Sequence, residues 1–139
     1  MNASQIEILL IEDDVDDAEL AIHSLRKNNL INNLVHIDDG EKALDFLYSG
    51  ENKKPKIILL DLRMPRVDGI QILKKLKGDS DMSDIPVIAL VSSKESGRKY
   101  VESFGVKADA YLLKPIEFNK FCAAVSEMGL AWKFVDAGT

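Results

Sequence analysis

Short apolar runs recur along the chain, and the segments between them place apolar residues at helical spacing. A run of about four to eight apolar residues suits a strand buried on both faces, as parallel strands are. The pattern predicts strands at about Ile6–Ile11, Leu34–Ile37, Ile57–Leu60, Pro86–Val91 and Ala108–Leu113.

The first intervening helix is predicted to open at Asp14, whose carboxylate can cap free backbone N–H groups. Asp16, Asp17 and Glu19 favour the dipole of its first turn, and Ala18, Ala21, Ile22 and Leu25 form its buried stripe. Asp39-Gly40 turns the chain into a second helix with Ala43, Leu44 and Leu47 inward, and Lys53-Lys54-Pro55 leads into the third strand. Met64-Pro65-Arg66-Val67-Asp68-Gly69 has turn punctuation, so the third helix is predicted over Gly69–Lys77. Asp79–Asp84 reads as a polar loop. Tyr100, Val101 and Phe104 give the fourth helix a thin apolar face, whereas Phe118, Phe121, Cys122, Val125, Gly129 and Trp132 give the fifth a full stripe.

Alternating strands and helices with right-handed crossovers form a parallel sheet covered on both faces, an α/β doubly wound fold. The alternation alone leaves several strand orders open. It does say where chemistry belongs, because ligands of such sheets bind beyond the carboxyl ends of the strands.

Those ends carry charge. Glu12-Asp13 closes the first run, Asp61 the third, and Lys114-Pro115 the fifth. Clustered carboxylates repel, so a proton or a cation must compensate them. An oxygen-only, partly hydrated site suits Mg²⁺. With Mg²⁺ and Lys114 neutralising charge, one carboxylate can act as nucleophile toward a phosphoryl group.

At the acidic pair Glu12-Asp13, the segment Asp61-Leu-Arg-Met-Pro65-x-x-Asp68-Gly69, Pro86 and Lys114-Pro115, the chain resembles a response-regulator receiver domain. The resemblance spans nearly all of residues 1–139, read as a single domain. Residues 12 to 20 and the tail through Trp132 further resemble the stand-alone subfamily often paired with phytochrome-type histidine kinases.

The resemblance implies a flavodoxin-like sheet in the order 2-1-3-4-5 with five helices. It implies Asp61 as acceptor of a phosphoryl group from a sensor histidine kinase or histidine phosphotransfer protein. Asp13 and Asp61 would bind Mg²⁺ directly, with Mn²⁺ able to substitute, Glu12 through water, and Arg63 through its backbone carbonyl. Lys114 would pair with a phosphoryl oxygen, with a cis peptide before Pro115. Such a protein promotes its own phosphorylation and dephosphorylation without being a turnover enzyme. The same resemblance makes Tyr111 the rotating aromatic, Leu20 a kinase-docking residue on the first helix, and the face of the fourth helix, fifth strand and fifth helix a candidate homodimer surface. The alternative is a receiver-like interaction module that signals without phosphate.

One position departs from the family. Receivers place Thr or Ser at the end of the fourth strand, and counting from Pro86 that position is Val91. Counting back from Lys114 favours Ser92 as the switch hydroxyl, whereas Ser92-Ser93-Lys94-Glu95 also matches a capping box in which Ser92 bonds the backbone.

Composition narrows the remaining choices. A 139-residue chain with 46% hydrophobic residues is long enough for one compact core. Its net charge of −5, without a dominant Lys/Arg cluster, argues against nucleic acid. The amino terminus lacks a signal-type pattern, and no apolar run approaches bilayer length, so a cytoplasmic protein is expected. The chain ends soon after its fifth helix, so binding to an unknown target is the expected output.

Ordinary roles suit the other polar residues. Asp14, Asp16 and Asp17 read as capping and solvated acids, and Asp38 and Asp39 as turn acids. His23 falls off its helix stripe, and neither it nor His36 has a partner at zinc-ligand spacing. Cys122, the single cysteine, lies on an apolar stripe and reads as core. A haloacid-dehalogenase-type phosphatase would need an Asp two residues after the nucleophile, where this chain has Arg63. A calcium loop would need alternating acids after Asp61.

Overall fold

The computed structural model describes residues 7–27, 34–50, 54–62 and 68–128. Strand and helix alternate five times: β1 (Ile8–Ile11), α1 (Val15–Lys27), β2 (Leu34–Ile37), α2 (Gly40–Tyr48), β3 (Ile57–Asp61), α3 (Gly69–Lys77), β4 (Val87–Val91), α4 (Lys94–Glu102), β5 (Ala110–Leu113) and α5 (Phe118–Glu127). All neighbouring strands are parallel, in the order β2-β1-β3-β4-β5.

The apolar runs are continuous because each central strand is buried on both sides. Leu9, Ile11, Ile58, Leu60, Val87 and Ala89 face a core shared with α2, α3 and Val101 of α4. Ile8, Leu10, Ile57, Leu59, Ile88 and Leu90 face the opposite core, shared with Ala18, Ala21 and Leu25 of α1 and Phe121, Ala124 and Val125 of α5. Successive side chains thus alternate between two cores, and each fully buried Leu, Ile or Phe contributes roughly 1.5–3 kcal/mol.

Helix starts follow local chemistry. Asp14 Oδ1 accepts from Asp17 N at 3.0 Å, as expected of a cap. Asp39 caps α2 by accepting from Glu41 N and Lys42 N. Asp68 and Gln71 form a reciprocal capping box at α3.

Several element ends depart from the pattern. β1 and β5 begin at Ile8 and Ala110; Ile6 lies outside the described residues, and Ala108 precedes the ladder. Ahead of β5, Asp109 Oδ2 instead accepts from Val87 N at 2.8 Å and from Lys77 Nζ at 2.7 Å. Met82, within the predicted polar loop, is buried.

Phe104 is not part of α4. The helix ends at Glu102, and Phe104 lies in the following turn, next to Gly105 at φ +80°. Only Val101 of the expected apolar face is buried; Tyr100 and Phe104 are exposed and stack edge to face at 5.2 Å. Cys122 is half-buried, since Phe121 beside it takes the inward position. Gly129 and Trp132 lie outside the described residues.

Candidate functional site

Register brings the charged strand ends together. Ile11 lies level with Leu60, so Glu12 and Asp13 emerge beside Asp61. Val91 lies level with Leu113, and Lys114 N donates to Val91 O at 2.9 Å, which sets the lysine two strands from Asp61, across the end of β4. β3 runs between β1 and β4, so Asp61 lies at the centre of this edge.

Backbone contacts hold the acids in place. Glu12 N donates to Ile37 O at 3.1 Å, and His36 Nε2 donates to the Glu12 backbone oxygen at 2.8 Å. Gly69 N donates to Leu62 O at 3.0 Å. A Cβ on Gly69 would fall 2.5 Å from both Asp61 O and Leu62 Cα, so the α3 start closes on β3 only because residue 69 has no side chain.

Glu12, Asp13 and Asp61 present carboxylate oxygens all within 4.8 Å of one another. Glu12 and Asp61 are buried, at 1% and 3% exposure. Burial, then the neighbouring Asp61, raises the Glu12 pKa to about 8. The same causes in the same order raise that of Asp13. An all-oxygen, partly buried and over-negative donor set fits a hard divalent cation.

Lys114 supplies the positive charge. Its Nζ donates to Asp17 Oδ2 at 3.0 Å, Asp61 Oδ1 at 3.3 Å and Glu12 Oε1 at 3.4 Å. Burial alone would lower its pKa, but Asp17, Asp61 and Glu12 outweigh that and hold it above its ordinary value. The Lys114–Pro115 peptide is cis, as the resemblance implies.

Asp17 departs from its expected role as a solvated acid. It lies in the first turn of α1, which opens directly after the acidic pair, and its carboxylate accepts from Lys114 Nζ at 3.0 Å.

The region after β4 corrects a second expectation. Val91 ends the strand and is buried, while Ser92 is exposed and lines a cavity of about 200 Å³ with Asp61, Lys114, Ser93 and Ser96. Ser92 is not a helix cap: α4 starts at Lys94, so the cap position falls on Ser93, whose side chain makes no capping bond. The Ser-x-x-Glu spacing predicts the helix one residue too early, because pairing of β4 runs through Val91 and the first α4 backbone bond is Gly97 N to Ser93 O. Val91 itself packs on Gly97, a contact the sequence signalled only as a glycine inside a helical segment.

Tyr111 is half-buried against the core, and its hydroxyl accepts from Ala108 N at 3.3 Å. Leu20 is 54% exposed on α1, and His23 is exposed, both as expected. Arg63 lies outside the described residues. Among the described residues no helix is long and apolar enough to cross a membrane.

Comparison with known proteins agrees with this geometry. Residues 8–126 match the response regulator receiver domain family. The chain is 31% identical over 128 residues to the probable methanogenesis regulatory protein FilR2 of Methanothrix harundinacea, covering 90% of this chain and 82% of that protein. It is 33% identical over 111 residues to the response regulator Rcp1 of Synechocystis sp., covering 77% and 75%. Among solved structures, the bacteriophytochrome response regulator AtBRR superposes with a TM-score of 0.85 at 36% identity, covering 95% of this chain and 98% of that one. The Mn²⁺-bound form of Rcp1 superposes with a TM-score of 0.70 at 28% identity, covering 96% and 97%. With the acidic strand-end cluster, the β2-β1-β3-β4-β5 sheet and a family match over most of its length, the chain belongs to the response-regulator receiver family of two-component signalling.

Proposed function

We propose that the protein accepts a phosphoryl group on Asp61 from a phosphohistidine of a sensor kinase or histidine phosphotransfer protein. The carrying observation is the convergence of Asp61, Glu12, Asp13 and Lys114 at one buried strand edge. An Asp61 carboxylate oxygen attacks phosphorus, the P–N bond to the donor imidazole breaks, and the imidazole takes up a proton as it leaves. Lys114 stabilises charge on the transferring oxygens.

Asp13 and Asp61 would hold Mg²⁺ directly and Glu12 through water, with the Arg63 carbonyl as a further ligand. Mn²⁺ would substitute, as the Mn²⁺-bound Rcp1 structure indicates for that relative. The cation supplies neutralisation of the acids and of the incoming phosphoryl charge.

No general acid of this chain is assigned to hydrolysis, so the phosphoryl group persists long enough to signal. The output is binding to another protein, and a sensor kinase of the phytochrome class is the proposed donor, since AtBRR is a bacteriophytochrome response regulator. The cytoplasm is the proposed compartment.

The test is incubation with acetyl phosphate and Mg²⁺, followed by mass spectrometry of the intact chain and its peptides. A single phosphate adduct on Asp61, absent in Asp61→Asn, is expected. Wild-type protein without an adduct would replace this reading by the phosphate-independent module to which Val91 points.

A further inference from the structure

We propose that Asp17 is a positioning residue for phosphotransfer: in the unphosphorylated protein it holds the Lys114 ammonium toward α1, and a phosphoryl group on Asp61 draws the ammonium away from it. This rests on the reading of Asp61 as the acceptor.

An ammonium has three N–H donors. Those of Lys114 are taken up by three carboxylates, Asp17, Asp61 and Glu12, each within 3.4 Å. A phosphoryl group adds acceptor oxygens and negative charge beside the same ammonium. To bond one of them, Lys114 must give up a present partner.

Burial decides which partner yields. The side chains of Glu12 and Asp61 are 2% and 4% exposed, so taking the ammonium from either buried carboxylate is costly. Asp17 is 39% exposed and can turn into solvent, where water solvates its charge. Yet Asp17 makes the shortest of the three contacts, at 3.0 Å. It is therefore the partner that sets the resting position of the ammonium and the one most easily exchanged.

The resemblance assigns Asp17 no role, and helix formation does not need its carboxylate, since Asp14 already caps α1. What the carboxylate does is add a negative charge at the lysine that must meet the phosphoryl group. A neutral amide at position 17 would loosen that hold and make the site less negative, so the phosphoryl state should gain.

The experiment titrates beryllofluoride, a mimic of the aspartyl phosphate, into wild type, Asp17→Asn, Asp17→Glu and Asp61→Asn at saturating Mg²⁺. Binding is followed by amide shifts and by the ¹⁵Nζ resonance of Lys114, with Mg²⁺ affinity and thermal unfolding measured alongside. Asp17→Asn should bind roughly two- to fivefold more tightly, the scale of a half-exposed ion pair. Its free-state Lys114 resonance should lie nearer the bound position, and Asp17→Glu should return both to wild type. Equal or weaker binding by Asp17→Asn overturns the proposal while leaving the acceptor reading intact, provided that wild type binds and Asp61→Asn does not. Wild-type protein that fails to bind beryllofluoride overturns both.

Discussion

Val91 fills the space where a side chain on Gly97 would be: a Cβ there would lie 2.5 Å from Val91 Cγ1 and 2.7 Å from Val91 Cβ. α4 therefore rests on the end of β4 through a pair in which one member has no side chain and the other is a buried valine.

Opposing effects meet at Gly97→Ala. Alanine gains up to about 1 kcal/mol of helix propensity over glycine. Against this, the new methyl meets a buried β-branched side chain with little χ1 freedom, and overpacking of that kind costs about 1–3 kcal/mol. The clash should win, lowering stability by on the order of 1 kcal/mol. Combining it with Val91→Ala should recover part of the loss in a urea-denaturation cycle. A more stable Gly97→Ala would mean that α4 shifts freely away from Val91.

Glu12 should give the metal-free protein an inverted pH dependence. Its folded pKa is raised to about 8, above the ordinary carboxylate range. Between those values the folded protein keeps a proton that the unfolded chain has lost. The stability this provides is fully present below the unfolded pKa and declines as pH rises toward about 8, by on the order of a few kcal/mol. Glu12→Gln should flatten the slope in unfolding measurements made with a chelator at about pH 5 to 8. Mg²⁺ affinity should rise over the same window in wild type as the proton is released. An unchanged slope in Glu12→Gln would move the raised pKa to Asp13.

Much of the fold was legible because both cores demand continuous apolar strands. The runs at Ile57–Leu60 and Pro86–Val91 foretold β3 and β4 within a residue, and the acids and lysine at the strand ends foretold that these charges meet at one edge. Strand order was not legible from pattern, since alternation fits several orders; it came from the motifs at Asp61 and Lys114. Three misreadings share a cause. The start of α4, the place of Phe104 and the pairing of Asp17 each depend on contacts with elements distant in sequence: Val91 against Gly97, Val101 of α4 buried in the core, and Lys114 reaching α1. Local spacing records none of these.

Lys114→Ala should separate two consequences of one charge. Without the ammonium, the buried Glu12 and Asp61 pair relies on the proton that Glu12 holds, so metal-free stability should fall, more steeply as that proton is lost at high pH, and added Mg²⁺ should restore it. Labelling by acetyl phosphate should persist in part, while the amide shifts that follow phosphorylation should shrink, because the charge that answers the new dianion is gone. Thermal unfolding with and without Mg²⁺ and spectra with beryllofluoride read the two arms. Wild-type-sized shifts would remove Lys114 from the switching step.

Leu20 tests how the donor reaches Asp61. Ala18, Ala21 and Leu25 of α1 are buried, whereas Leu20 is 54% and Val15 60% exposed, so neither is accounted for by this domain's own core. Single exposed leucines are ordinary, and exposure alone assigns nothing. The site, however, begins where α1 begins: Glu12 and Asp13 precede the helix, and Asp17 within it bonds Lys114. A protein donor presenting phosphohistidine in line with Asp61 must pack close to this helix, and an apolar side chain there gains from burial on docking. A small donor such as acetyl phosphate needs no such surface. Leu20→Ala should therefore slow transfer from a histidine kinase, on the order of tenfold for loss of an interface anchor, and leave acetyl phosphate labelling unchanged. Equal slowing with both donors would place the defect in the site or the fold. Unchanged transfer from the kinase would mean that docking uses another face.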